Sequence, residues 1–98
     1  MSEIPAGPSE IAVRHNVAEH RFEAVVDGFL SVADYNVDGN VVTFTHTFVP
    51  PQLRGRGVAE KLVRAALGWA QAEKRRIVPA CSYVETFVRR HAEFQALL

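Results

Sequence analysis

The 98 residues predict a mixed α/β (α+β) fold. Its plan is a five-stranded, mostly antiparallel sheet, a helical crossover from the fourth strand to the fifth, and a C-terminal helix. Three observations carry this. The first half alternates apolar and polar residues in short runs, broken by Asp27-Gly28 and by Asp38-Gly39-Asn40. Pro50-Pro51 closes the alternation, and from Val58 onward apolar residues recur at helical spacing. A short apolar run, Arg76 to Ala80, follows that helix. A strand–helix–strand unit in one sheet makes its second strand parallel to its first, through a right-handed crossover.

Taken in order, Met1 to Glu10 holds Pro5, Gly7 and Pro8 and reads as a flexible tail, so the single domain is expected over 11–98. Ile11 to Asn16 alternates weakly, as an edge strand does. Arg21 to Val26 puts Phe22, Ala24 and Val26 on one face. Asp27-Gly28 is a hairpin signal, and Phe29 to Val37 is the partner strand. Val41 to Val49 alternates well, with Val42, Phe44, His46 and Phe48 expected on one side. The helix is expected from Gly57 to Lys74, with a core-facing stripe of Val58, Ala59, Leu62, Val63, Ala66, Leu67 and Ala70. A final helix should start near Tyr83 and carry Val84, Phe87, Val88 and Phe94 inward.

Composition excludes several classes. Eleven basic and eleven acidic side chains cancel, so no basic stripe argues for nucleic acid. No apolar run is long enough to span a membrane and no signal-peptide pattern opens the chain, which makes a cytoplasmic protein the expectation. One cysteine excludes an intrachain disulfide and suits a reducing compartment. Four histidines lack metal-ligand spacing, so no metal is expected.

The most informative segment is Val49-Pro-Pro-Gln-Leu-Arg-Gly-Arg-Gly-Val-Ala59. Glycines at a helix mouth let the backbone come close to a ligand. The first helical amides lack internal partners, and the dipole adds partial positive charge. With Arg54 and Arg56 beside them, these groups suit a phosphate or pyrophosphate. A nucleotide P-loop would need Gly-Lys-Ser/Thr, which is absent, and a dinucleotide fingerprint would need glycine where Glu60 stands. The plainer alternative is a glycine-rich connection solvated by its arginines. Ligands of strand–helix units sit beyond the carboxyl ends of parallel strands. The glycine loop follows one such end and Cys81-Ser82 follows the other, so the two converge on one crevice.

Gln52-x-x-Gly55-x-Gly57-Val58-Ala59 resembles the pyrophosphate loop of the GNAT superfamily of N-acetyltransferases. Three segments extend the likeness to a small, single-domain branch of about a hundred residues. They are His46-Thr-Phe-Val-Pro50, the Arg-Gly-Arg-Gly-Val-Ala loop, and Val78-Pro-Ala-Cys-Ser-Tyr-Val84 with Phe87-Val-Arg-Arg-His-Ala-Glu-Phe94. The chain departs from that branch at Ala92, where proline is common, and at Phe94, where tyrosine is.

The resemblance implies a gap between the fourth and fifth strands that takes the pantetheine arm of acetyl-CoA (coenzyme A). It implies a backbone amide between Thr47 and Val49, Phe48 included, that polarises the acetyl carbonyl. Gln52, Arg54, Gly55, Arg56, Gly57, Val58 and Ala59 would hold the pyrophosphate, with Ser82 and His91 as further cofactor contacts. Acetyl would pass by direct attack to an amine, from a protein side chain or polyamine, in an open groove. Cys81 is the candidate proton donor or acyl acceptor, or else a small core residue. His46 is a candidate base or a hydrogen-bonded core histidine. Tyr83 is a candidate hydroxyl donor or packs at the helix start. Ser82 is also the expected cap of the last helix, and Arg89 and Arg90 could reach the adenosine phosphate or simply be solvated. A non-catalytic acyl-CoA-binding module is the alternative to an enzyme.

Overall fold

The computed structural model describes residues 11–98, so the expected tail over 1–10 lies outside the described residues. One five-stranded sheet runs in the order β1-β2-β3-β4-β5: Arg14–Asn16, Arg21–Val26, Phe29–Asp38, Val41–Phe48 and Arg76–Pro79. The first four strands form an antiparallel meander and β5 pairs parallel to β4, as the sequence predicts. The first strand is shorter than expected. Asp27 (φ +52°) and Gly28 (φ +81°) make the β2–β3 turn with both central residues left-handed, the twist a two-residue hairpin needs.

Helix α1, Val58–Ala72, crosses from β4 to β5 after a 3-10 turn at Pro51–Leu53. It ends before Lys74, which takes a left-handed conformation (φ +56°) while Arg75 N–H donates to Ala70 O at 2.8 Å. The expected single last helix is two: α2, Ser82–Arg90, and α3, Ala92–Gln95. His91, at φ −128° and ψ 92°, is extended and breaks them apart.

Buried residues of α1 and α2 form one cluster with Val42, Phe44 and Ile77 of the sheet. Leu62 and Leu67 are fully enclosed, each contributing about 1.5–3 kcal/mol by leaving water. The opposite sheet face leaves Val25, Leu30, His46, Phe48 and Val78 exposed.

A bulge corrects the reading of β4. Tyr35 pairs with Phe44 but Asp34 pairs with His46, so Thr45 is an extra residue on β4. Alternation slips by one there. Val42 and Phe44 face the helices; beyond the bulge Thr47, opposite the buried Ala33, takes that side. His46 and Phe48, expected beside Phe44, turn to the open face, where their rings lie 6.5 Å apart.

An aromatic cluster holds the edge strand. His15 stacks on Phe22 with ring centroids 4.0 Å apart, meets Trp69 edge-on, and brings Nε2 to 2.6 Å from the Tyr35 hydroxyl. Burial holds the His15 imidazole below its ordinary value. The folded chain therefore takes up that proton at lower pH than the unfolded chain. The stability it confers is fully present above about pH 6.5 and is lost as pH falls through the folded value. Thermal melts between about pH 7.5 and 5 should show the midpoint falling on the acid side, with a shallower fall in His15→Gln. Identical slopes in both proteins would remove His15 as the source.

Candidate active site

The β4–β5 ladder starts at Val41↔Arg76 and stops at Phe44↔Pro79, while β4 runs on to Phe48. Pro79 has no N–H to continue it. Cys81 N–H closes the end by donating to Phe44 O at 2.9 Å. Beyond this point no described strand pairs with the β5 side of β4, and the two chains part.

The loop leaving β4 is anchored by Leu53, which is buried. Its turn is closed by Leu53 N–H to Pro50 O and Arg54 N–H to Pro51 O. Gly55 (φ +81°) and Gly57 (φ +79°) are both left-handed, a conformation other residues resist. A Cβ built on either would meet nothing within 4 Å, so both face open space. Gly57 caps α1 without a side-chain hydrogen bond, and the first helical bond runs from Lys61 N–H to Gly57 O. The amides of Val58, Ala59 and Glu60 therefore have no partner within the helix. Unpartnered amides, two bare glycines and a helix N-terminus fit a phosphate group.

The two arginines separate. Arg54 donates from Nε to Val49 O at 3.2 Å and lines the groove. Arg56 instead pairs with Asp27 of the β2–β3 turn at 2.8 Å. Gln52 stands exposed in the 3-10 turn, outside the groove lining.

Three adjoining hollows follow the loop. One of about 220 Å³ lies at the end of β4, between Thr47, Phe48, Val49 and Arg54. One of about 290 Å³ covers Gly55, Gly57, Val58 and Ala59. One of about 340 Å³ continues over α2, between Glu60, Thr86, Phe87, Arg90 and His91. Tyr83 lines all three. Burial, then the Glu60 carboxylate, push its hydroxyl above the ordinary phenol range, so it stays a proton donor at neutral pH.

Cys81, not Ser82, is the cap of α2: it is extended, and Glu85 N–H donates to its carbonyl at 3.0 Å. Ser82 is the first helical residue. The half-buried Cys81 thiol lies 3.6 Å from Thr47 Oγ1. Burial pushes the thiol up, but the amides of Val84, Tyr83 and Thr47 and the Thr47 hydroxyl outweigh it, and the net shift is downward.

His91 Nδ1 lies 2.7 Å from Phe87 O and its ring stacks on Phe87 at 3.9 Å, which fixes it as a wall of the third hollow. Arg90 lines the same hollow, while Arg89 is taken by Glu85. His46 is on the open face and is not brought to the Cys81 side. Three residues escaped the sequence reading: Glu60, the Thr47 side chain and Thr86. Glu60 sits in the first turn of α1, where an acidic residue signals only favourable dipole contact, and Arg64 partners it at 3.3 Å.

Comparison with known proteins agrees with this geometry. Residues 21–97 match the family described as GCN5-related N-acetyl-transferase. Protein NATD1 of Bos taurus is 32% identical over 93 residues, covering 89% of this chain and 82% of its own. Protein NATD1 of Homo sapiens is 30% identical over 95 residues, with 90% and 84% covered. The NMR solution structure of a GCN5-like protein from Staphylococcus aureus superposes with a TM-score of 0.70 at 26% identity, covering 91% of this chain and 88% of that one.

Proposed function

The chain belongs to the GCN5-related N-acetyltransferase family, and from that membership we propose that it moves acetyl from acetyl-CoA to an amine in an open groove. The observation that supports this most directly is the Gly57-capped start of α1, lying beside the gap that holds Cys81. Acetyl-CoA supplies a thioester whose acyl carbon the amine attacks and whose sulfur leaves as a thiolate.

The residues divide the work. Gly55, Gly57, Val58 and Ala59 present backbone to the pyrophosphate, and Arg54 adds charge. The hollow lined by Arg90, Phe87 and His91 takes the nucleotide end. Thr47 turns its amide to the Cys81 sulfur. Successive strand amides point to opposite sides, and the alternation carried one residue past the end of β4 at Phe48 would turn the Val49 amide to the same gap. That amide is the proposed polariser of the acetyl carbonyl. Cys81 gives its thiol proton to the departing sulfur, with Tyr83 as a second donor. The proton lost by the attacking amine passes to water and returns to Cys81. His46 and Phe48, on the open face at the end of β4, border the approach of a protein side chain or polyamine.

A non-catalytic acyl-CoA-binding role is the second reading. It is favoured by Glu60, a carboxylate lining the groove, being tied to Arg64 rather than left as a base. Thiol release from acetyl-CoA with lysine peptides and polyamines separates the two. Binding without amine-dependent release would leave only the second.

Two variants check the assignments. Arg54→Ala should weaken CoA by about 1.5 kcal/mol, roughly tenfold. Arg56→Ala, whose partner is Asp27, should change it less than about twofold. Calorimetry giving the reverse order would move the phosphate contact to Arg56. For Cys81, intact mass after incubation with acetyl-CoA decides between roles. A proton donor leaves no adduct, and Cys81→Ser keeps part of the rate while Cys81→Ala loses more. An acetyl adduct on Cys81 would make it an acyl acceptor, and wild-type rates in both variants would make it packing.

A further inference from the structure

Cys81 does not stand alone at the start of α2. Its sulfur faces a side chain from a different element, and that side chain arrives there only through the bulge in β4. Were Thr45 paired in the ladder like its neighbours, alternation would place Thr47 on the open face and His46 beside the thiol. Because Thr45 is bulged out instead, Thr47 takes the helix side, lies opposite buried Ala33, and brings Oγ1 to 3.6 Å from Sγ. The contact joins residues that are 34 positions apart, across the gap where β4 and β5 separate. Thr47 also lines the hollow at the end of β4.

We propose that Thr47 is the positioning residue for Cys81: its hydroxyl holds the thiol toward the gap between β4 and α2 and steadies the thiolate once the proton has left. The inference rests on the acetyl-transfer reading above and names the residue that tunes its proton donor. A hydroxyl suits both states of the sulfur, because it accepts from S–H and, after rotating, donates to S⁻. No other side chain type of the same shape does this: valine fills the space but has neither function, and serine keeps the hydroxyl without the methyl. The amides of Val84, Tyr83 and Thr47 stabilise the anion from the backbone and survive any substitution at this position. The side chain's share is therefore separable from theirs.

The test is the pH profile of Cys81 alkylation by iodoacetamide, read by intact mass on the full chain. Thr47→Val should move the profile upward by about one pH unit, the size expected from loss of one hydrogen bond to a charged group. Thr47→Ser should restore it. A Thr47→Val profile superimposed on wild type would overturn the proposal. So would a shift that serine fails to rescue, since that reports lost packing rather than a lost hydroxyl. Acetyl transfer is measured on the same proteins. A rescued shift with no amine-dependent transfer by the wild type would uphold Thr47 as the thiol's partner and sink the acetyltransferase reading. Transfer with an unshifted profile would do the opposite.

Discussion

Gly57→Val should cost the protein CoA binding by about 3 kcal/mol, roughly a hundredfold. Two effects add. Gly57 sits at φ +79°, where an L-residue costs about 1–2 kcal/mol and a β-branched one is a stark outlier. Relieving that strain moves the cap and turns away the amides of Val58, Ala59 and Glu60. Each hydrogen bond from such an amide to a charged oxygen is worth about 1.5–3 kcal/mol. The protein itself offers no clash to a new Cβ, so the expected loss comes from the backbone and from the space proposed for the pyrophosphate. Gly39→Val is the control. Gly39 is also left-handed, at φ +59°, but lies in the β3–β4 turn at the far end of β4. It should lose comparable stability and keep its CoA affinity. Calorimetry showing unchanged binding in Gly57→Val would remove the pyrophosphate from this loop.

Phe44→Ala should give the largest loss of stability. Phe44 is 1% exposed, closes the β4–β5 ladder opposite Pro79, and accepts the Cys81 amide through its carbonyl. Its ring meets Tyr35 edge-on. Emptying that volume costs about 3–5 kcal/mol, out of the roughly 5–15 kcal/mol that hold a domain together. The melting midpoint should fall by roughly 15 °C or more. A drop of only a few degrees would mean that α1 and α2 collapse into the cavity and that the core is less rigid than its burial indicates.

Much of this architecture is written locally, and those parts are legible in the sequence. The Asp27-Gly28 turn, the α1 stripe and the glycine pair depend on neighbours a few residues away. What could not be read depends on partners far along the chain. The bulge at Thr45 exists only against β3, so β4 alone suggested unbroken alternation and put His46 on the wrong side. Arg56 looks like a phosphate ligand until Asp27, 29 positions earlier, folds up beside it. The cap of α2 was misplaced by one residue because serine is the stronger local signal, whereas Phe44 O fixes Cys81 in the extended conformation that ends the loop. The break at His91 likewise has no glycine or proline to announce it, although Ala92 had already marked the spot as a departure.

The extra residue in β4 also bears on how such proteins diverge. A strand assigns its side chains by parity, so pairing Thr45 in the ladder would exchange the tenants of the two faces beyond it, whereas deleting Thr45 would leave them in place. With Thr45 paired, His46 and Phe48 would move to the helix side; Thr47 would move to the open one. No point substitution rearranges so much with so little change in composition. Relatives that keep this residue but pair it without a bulge can therefore retain every site-forming amino acid and still present a different set to the groove. Transfer of roles between them has to be made through strand register, because an alignment that needs no gap here hands each residue its neighbour's task.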